Sequence, residues 1–153
     1  MLIGFQGAGK STFRAQQFAD THTLVSKDLL RNNRRPERRQ QRLIAEALAD
    51  GRSVIVDNTN PSVEERANIV ATARASGARV VGYFFESPLE ECARRNQARP
   101  EESRVPDVGL FATAKRLVRP SRREGFEEIF AVRTLPDFCF EVGPYEETSN
   151  DSR

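Results

Sequence analysis

Short apolar runs alternate with longer amphipathic stretches along the whole chain. Met1–Phe5 is a very short apolar run, and Gly9 to about Ala19 reads as a helix. Thr23–Ser26 reads as a short strand. Arg34–Asp50 carries Leu43, Ile44, Ala47 and Leu48 at helical spacing, and Gly51 ends it. Ser53–Asp57 is β-branched without polar alternation, the pattern of a strand covered on both faces. Asn60-Pro61 predicts an N-cap and a proline at the first helical position, opening a helix to about Ser76 before Gly77. Arg79–Phe85 is the next buried strand. Ser87-Pro88-Leu89-Glu90 has a capping-box pattern and predicts a helix to about Ala98. After a polar connection at Pro100–Arg104, Pro106 opens a helix to about Val118. Glu127–Arg133 reads as a strand and Asp137–Val142 as a further, peripheral one. Strands alternating with helices predict an α/β domain with a parallel, doubly wound sheet over residues 1–143. Residues 144–153 read as a frayed, disordered acidic tail.

Composition narrows the class. The chain has 153 residues, enough for one domain with a sizeable core. No run of 18 apolar residues occurs, so no membrane-spanning helix is expected, and no signal-peptide pattern opens the sequence. Two cysteines, Cys92 and Cys139, are too few for a disulfide scaffold or zinc cage and read as packing residues. A reducing cytoplasm fits this usage. The single histidine, His22, reads as a surface residue. Net charge is only +2, but of 24 basic residues just three are lysine, so the rest offer the planar fork that grips phosphate. That bias also fits a GC-rich coding sequence.

Ligands of such sheets sit outside the carboxyl ends of the strands, so candidate residues belong just after strands. Gly4-Phe5-Gln6-Gly7-Ala8-Gly9-Lys10-Ser11 matches the P-loop pattern G-x-x-x-x-G-K-[ST], between an apolar run and an amphipathic helix. Its glycines let successive N–H groups of Gly7, Ala8 and Gly9 face one phosphate, and the helix terminus adds positive potential. Lys10 is expected to bridge the β- and γ-phosphates of ATP, Ser11 to join a Mg²⁺ shell, and Thr12 to reach the α-phosphate. Only three residues precede Gly4, so the first strand is expected to be unusually short; an earlier start is one explanation.

After the second strand comes Ser26-Lys27-Asp28-Leu29-Leu30-Arg31. Asp28 is either a hydroxyl-activating base or a helix cap, and Arg31 either holds an acceptor phosphate or pairs with Asp28. After the third strand, Asp57 stands where a Walker B carboxylate helps hold hydrated Mg²⁺. Thr59 and Asn60 are candidates for substrate contact, with helix capping the simpler reading of Asn60. Arg95 and Arg99, four apart, share a helix face and either close over a transferring phosphate or form a solvated face. Arg31, Arg34, Arg35, Arg38, Arg39 and Arg42 flank the acceptor side, as a nucleic-acid backbone contact or a solvated helix. No aromatic residue interleaves with them, so base stacking is not indicated.

The order of the P-loop, Ser-Lys-Asp-Leu-Leu-Arg, Val-Asp-Asn-Thr-Asn-Pro and Cys-Ala-Arg-Arg-Asn-Gln-Ala-Arg resembles the kinase domain of polynucleotide 5′-hydroxyl kinases. These belong to the adenylate-kinase-like branch of P-loop phosphotransferases. Arg104-Val105-Pro106-Asp107 and Glu124-Gly125-Phe126-Glu127-Glu128-Ile129 resemble the end of that domain in eukaryotic bifunctional end-healing enzymes. The resemblance runs from about Leu2 to Val132. It implies Asp28 as general base, Arg31 on the acceptor phosphate, Asp57, Thr59 and Asn60 bordering the acceptor site, and Arg95 and Arg99 on the donor phosphates. Asn58 is inserted relative to the phage enzyme's Asp-Thr-Asn. No D-x-D-x-T motif occurs, so the phosphatase activity that accompanies many such kinases is not expected of this chain.

The expected architecture is a five-stranded P-loop sheet in the order 2-3-1-4-5 with a short helical lid. The expected activity is ATP- and Mg²⁺-dependent transfer to a hydroxyl, foremost the 5′-OH end of RNA or DNA, in nucleic acid repair. A small-molecule alcohol acceptor and a non-catalytic ATP-binding module are the alternatives, since fold and P-loop do not separate acceptors.

Overall fold

Two strips of parallel strands, each covered by helices on both faces, form the frame in a computed structural model described over residues 1–148. The strands are β1 (Leu2–Ile3), β2 (His22–Val25), β3 (Ser53–Val56), β4 (Val81–Phe85), β5 (Glu128–Thr134) and β6 (Phe140–Pro144). The helices are α1 (Lys10–Gln17), α2 (Pro36–Ala49), α3 (Val63–Ala75), α4 (Leu89–Gln97) and α5 (Asp107–Arg116). The expected lid is α4, a 3-10 turn at Glu101–Ser103, and α5. Buried Asn96 clamps it, donating to the Val105 carbonyl at 2.6 Å and accepting from the Val105 N–H at 3.0 Å. Among the described residues no helix is long and apolar enough to cross a membrane.

Neighbouring strand residues enter opposite cores, which explains runs with no polar alternation. Ile3, Val56 and Phe84 pack on one face with Ile44 of α2 and Ile69 of α3. Leu2, Ile55 and Phe85 pack on the other with Phe13 of α1 and Cys92 of α4.

β2 pairs with β3, and β1 with β4 and then β5, all in parallel. The order 2-3-1-4-5 carries two departures. No ladder joins β3 to β1, which holds only two residues and pairs with β4. The strips are linked one step later, where the Gly4 N–H donates to the Thr59 carbonyl at 3.0 Å and Asn60 Nδ2 to the Leu2 carbonyl at 2.7 Å. A cavity of about 600 Å³ opens between the strips at the amino ends of the strands, away from the P-loop. The second departure is β6, which starts later than expected and adds antiparallel to β5 at the sheet edge.

Two caps differ from expectation. Asn60 is not the α3 cap: it takes a left-handed φ of 47°, and Ser62 Oγ accepts from the Glu65 N–H instead. The Ser87 capping box does not form, and α4 starts after Pro88 with no side-chain cap. A complete capping box forms at Ser121–Glu124. The expected fraying of the tail does not hold at its start. Tyr145 donates to the Pro120 carbonyl at 2.8 Å, and Glu147 accepts from the Arg122 N–H at 2.7 Å. The remainder of the expected tail, 149–153, lies outside the described residues.

Arg66 of α3 joins these parts. Its side chain is 0% exposed. Nε and Nη2 meet the two carboxylate oxygens of Glu124 at 2.7 and 3.0 Å. Nη1 donates to the carbonyls of Asn60, Pro61 and Val118 at 2.9–3.0 Å. Removing one partner of a buried pair strands the other charge, so Arg66→Met is expected to cost about 3–5 kcal/mol in urea unfolding. Arg66→Met with Glu124→Leu removes the stranded carboxylate but leaves the Asn60 and Val118 carbonyls without their donor, while Pro61 keeps the Val118 N–H. It is expected to stay less stable than the wild type.

Candidate active site

The P-loop joins β1 to α1 and is gripped from two sides. Gly7 (φ 80°) and Gly9 (φ 94°) take left-handed conformations that favour glycine. A Cβ at Gly7 would overlap the Cys92 carbonyl oxygen of α4. One at Gly9 would lie 3.0 Å from the Phe140 ring of β6. Thr134 Oγ1, at the end of β5, donates to the Ala8 carbonyl at 2.7 Å. Gly9 caps α1 without a side-chain hydrogen bond, so first-turn N–H groups of Lys10, Ser11 and Thr12 are available to a phosphate.

Lys10 is buried, and Nζ donates to the Gly4 and Phe5 carbonyls at 3.0 and 2.6 Å. Desolvation lowers its pKa from 10.5 to about 8. Asp57, Cys92 and Asp28 counter part of that fall, and Arg99 adds to it.

Ser11 and Asp57 come together: the Ser11 hydroxyl donates to Asp57 Oδ2 at 2.8 Å. Arg14 Nε, not anticipated from the sequence, meets the same oxygen at 3.2 Å. A hydroxyl and a carboxylate beside a phosphate loop fit a Mg²⁺ that takes its remaining ligands from phosphate and water. Among the described residues no cluster of three or more His, Cys, Asp or Glu side chains gathers as a metal cage.

Asp28 sits in a 3-10 turn, Lys27–Leu30, directly after β2. It is exposed and pairs with exposed Arg31 at 3.3 Å. Thus the alternative in which these two simply pair describes their contact here. Ser26 Oγ, not Asp28, caps the turn. Thr59 is half-buried, and its carbonyl accepts from Gly4. Asn60 is 1% exposed with its amide committed to Leu2, so it has no face toward an acceptor; its role is in the frame. Asn58 lies half-buried between the turn and α2.

On the lid side, Arg95 lies half-buried on α4, pairing with Glu91 at 3.1 Å and reaching the Gly7 carbonyl and Ser87 Oγ at 3.5 Å. Arg99 lies beyond the end of α4, so the two arginines do not share one helix. Next to the P-loop, Arg94 and Arg95 of α4 face the Leu135–Phe138 turn across a cavity of about 450 Å³. Asp137 and Phe138 hold left-handed φ values of 60° and 52° in that turn. Sequence reading missed this wall because it carries no motif.

A triphosphate beside Lys10 stabilises its ammonium and raises the lowered pKa, so binding takes up a proton above about pH 8. Affinity for ATP is expected to fall as pH rises through that value. Calorimetry near pH 8.5 in buffers of different ionisation enthalpy measures the uptake, and about none is expected in Lys10→Met.

Residues 1–120 match the AAA domain family. The bifunctional polynucleotide phosphatase/kinase of Schizosaccharomyces pombe is 28% identical over 155 aligned positions, covering 98% of this chain and 36% of that protein. The chain thus spans about a third of the length of this curated relative. A gluconokinase from Sinorhizobium meliloti 1021 superposes with a TM-score of 0.58 at 20% identity, over 86% of this chain and 79% of that one. APS kinase CysC from Mycobacterium tuberculosis, solved with AMPPNP and APS, gives 0.59 at 21% identity, over 89% and 86%. The family match over residues 1–120 and the shared α/β fold decide the assignment: the chain belongs to the AAA domain family and has the fold of the P-loop kinases.

Proposed function

We propose that the protein transfers the γ-phosphate of ATP to a hydroxyl, namely the 5′-OH end of a nucleic acid. The observation that carries this reading is a phosphate loop with a buried Lys10, a Ser11 hydroxyl donating to Asp57 Oδ2 at 2.8 Å, and Asp28 on the turn that directly follows β2. A nucleotide-binding switch needs no hydroxyl base beside its P-loop; a kinase does. The likeness to the polynucleotide phosphatase/kinase supports the choice of acceptor. So does the arginine run. Among the described residues Arg34, Arg35, Arg38 and Arg39 form no ion pair, and they follow the Asp28 turn directly.

In this reading the 450 Å³ cavity beside the P-loop takes the donor base, against the Leu135–Phe138 turn. P-loop N–H groups and Lys10 hold the β- and γ-phosphates. Ser11 and Asp57 hold Mg²⁺, which when bound neutralises charge on the phosphate oxygens. Asp28 accepts the proton of the 5′-OH as its oxygen bonds to Pγ. The bond from Pγ to the β-phosphate oxygen breaks, and ADP leaves with that electron pair. Arg95 and Arg99 stabilise the charge that develops, and the closed lid keeps water from Pγ.

The test is transfer of γ-labelled phosphate to 5′-OH RNA and DNA oligonucleotides with Mg²⁺. Asp28→Asn is expected to lower turnover by about 10²–10⁴-fold while ATP still binds. No transfer to either oligonucleotide, with ATP bound, would turn the assignment toward small alcohols or a non-catalytic role. Replacing Arg34, Arg35 and Arg38 by Ala is expected to raise the oligonucleotide KM and to flatten its salt dependence by about one slope unit per lost phosphate contact.

A further inference from the structure

Asp28 is central to the proposed reaction, yet its own side chain is loosely held. It is 79% exposed, and its ion pair with Arg31 lies between two exposed groups on one turn. Its placement therefore comes from the backbone of the turn. Leu30 buries one end. At the other, the Lys27 N–H donates to Asn58 Oδ1 at 2.8 Å.

Asn58 follows Asp57 at the carboxyl end of β3. A backbone N–H only donates, so the Asn58 atom facing Lys27 is the oxygen, which turns Nδ2 toward Gln40. Nδ2 donates to Gln40 Oε1 of α2 at 2.7 Å and lies 3.5 Å from Asn60 Oδ1. Gln40 is buried, and Asn60 donates in turn to the Leu2 carbonyl of β1. A chain of side-chain amides thus runs from the strand that enters the P-loop to the turn that carries Asp28.

We infer that Asn58 is a positioning residue: it sets the Lys27–Leu30 turn, and with it the Asp28 carboxylate, against the P-loop. The inference rests on Asp28 acting as the base. Asn58 commits both ends of its amide within the protein, so it acts through Asp28 and not on the acceptor.

Asn58→Ala removes the acceptor for Lys27 and the donor for Gln40. Asn58→Asp keeps an oxygen for Lys27, and Gln40 can turn its amide to donate to the second oxygen. For transfer to a 5′-OH oligonucleotide, kcat is expected to fall roughly 100-fold in Asn58→Ala, the cost of a base displaced by about an ångström. The Kd for ATP is expected to stay at the wild-type value. Asn58→Asp is expected to recover kcat to within about 10-fold of wild type. Without any substrate, the Lys27 amide is expected to exchange its hydrogen faster in Asn58→Ala than in the wild type. Wild-type kcat in Asn58→Ala, or loss of ATP affinity in step with kcat, would overturn the inference. Asp28→Asn run alongside separates the two readings. Transfer retained in Asp28→Asn removes the base assignment itself. An inert Asp28→Asn beside a fully active Asn58→Ala removes only the role of Asn58.

Discussion

A guanidinium with no exposed surface is costly unless each of its donors meets an oxygen, and in this fold each nitrogen of Arg66 does. The partners come from one stretch just before α3 and from two others 52 and 58 residues on. Asn60 and Pro61 end the loop that carries Asp57. Val118 follows the second lid helix. Glu124 caps the turn that leads into β5. One side chain thus holds the loop after β3, the root of the lid and the start of the last parallel strand in register. The Val118 N–H adds to the clasp by donating to the Pro61 carbonyl at 2.8 Å.

The P-loop and the turn after β2 differ in build. The P-loop is enclosed: β5 and β6 press on Ala8 and Gly9, α4 presses on Gly7, and Lys10 ties its carbonyls from within. Such a loop presents its N–H groups in fixed directions before any phosphate arrives. That enclosure also desolvates the Lys10 ammonium and lowers its pKa. The turn after β2 is open, with Asp28, Arg31 and most of the following arginines exposed. Behind it, Asn58 joins the Lys27 N–H to buried Gln40.

Much of the frame was legible in the sequence. Unbroken β-branched runs mark strands buried on two faces, and glycine, proline and serine mark the ends of helices. The rule that ligands sit at carboxyl strand ends then pointed to Asp57, which meets Ser11 of the P-loop, and to Asp28 on the turn after β2. Arg66 was not legible. In sequence it is one arginine in a helix that opens with Glu64 and Glu65, and local pairing explains it as well as burial does. Its true partner lies 58 residues on. Asn60 was misread for the same reason, since an Asn-Pro pair after a strand is the local signature of a cap. Its positive φ and its bond to Leu2 depend on how β1 lies beside the loop.

What the sequence by itself determined was local: the elements, the phosphate loop, and the residue types that follow each strand. Periodicity and turn chemistry act over a few residues, so they can be read from a few residues. The tertiary structure decided which of those side chains are buried and what they touch. It paired Ser11 with Asp57, buried Lys10, buried Asn60 against β1, and set the Leu135–Phe138 turn across a cavity from α4. Burial and hydrogen bonding between distant segments arise only when the helices close on the sheet, because desolvation depends on every neighbour at once and not on the order of the chain.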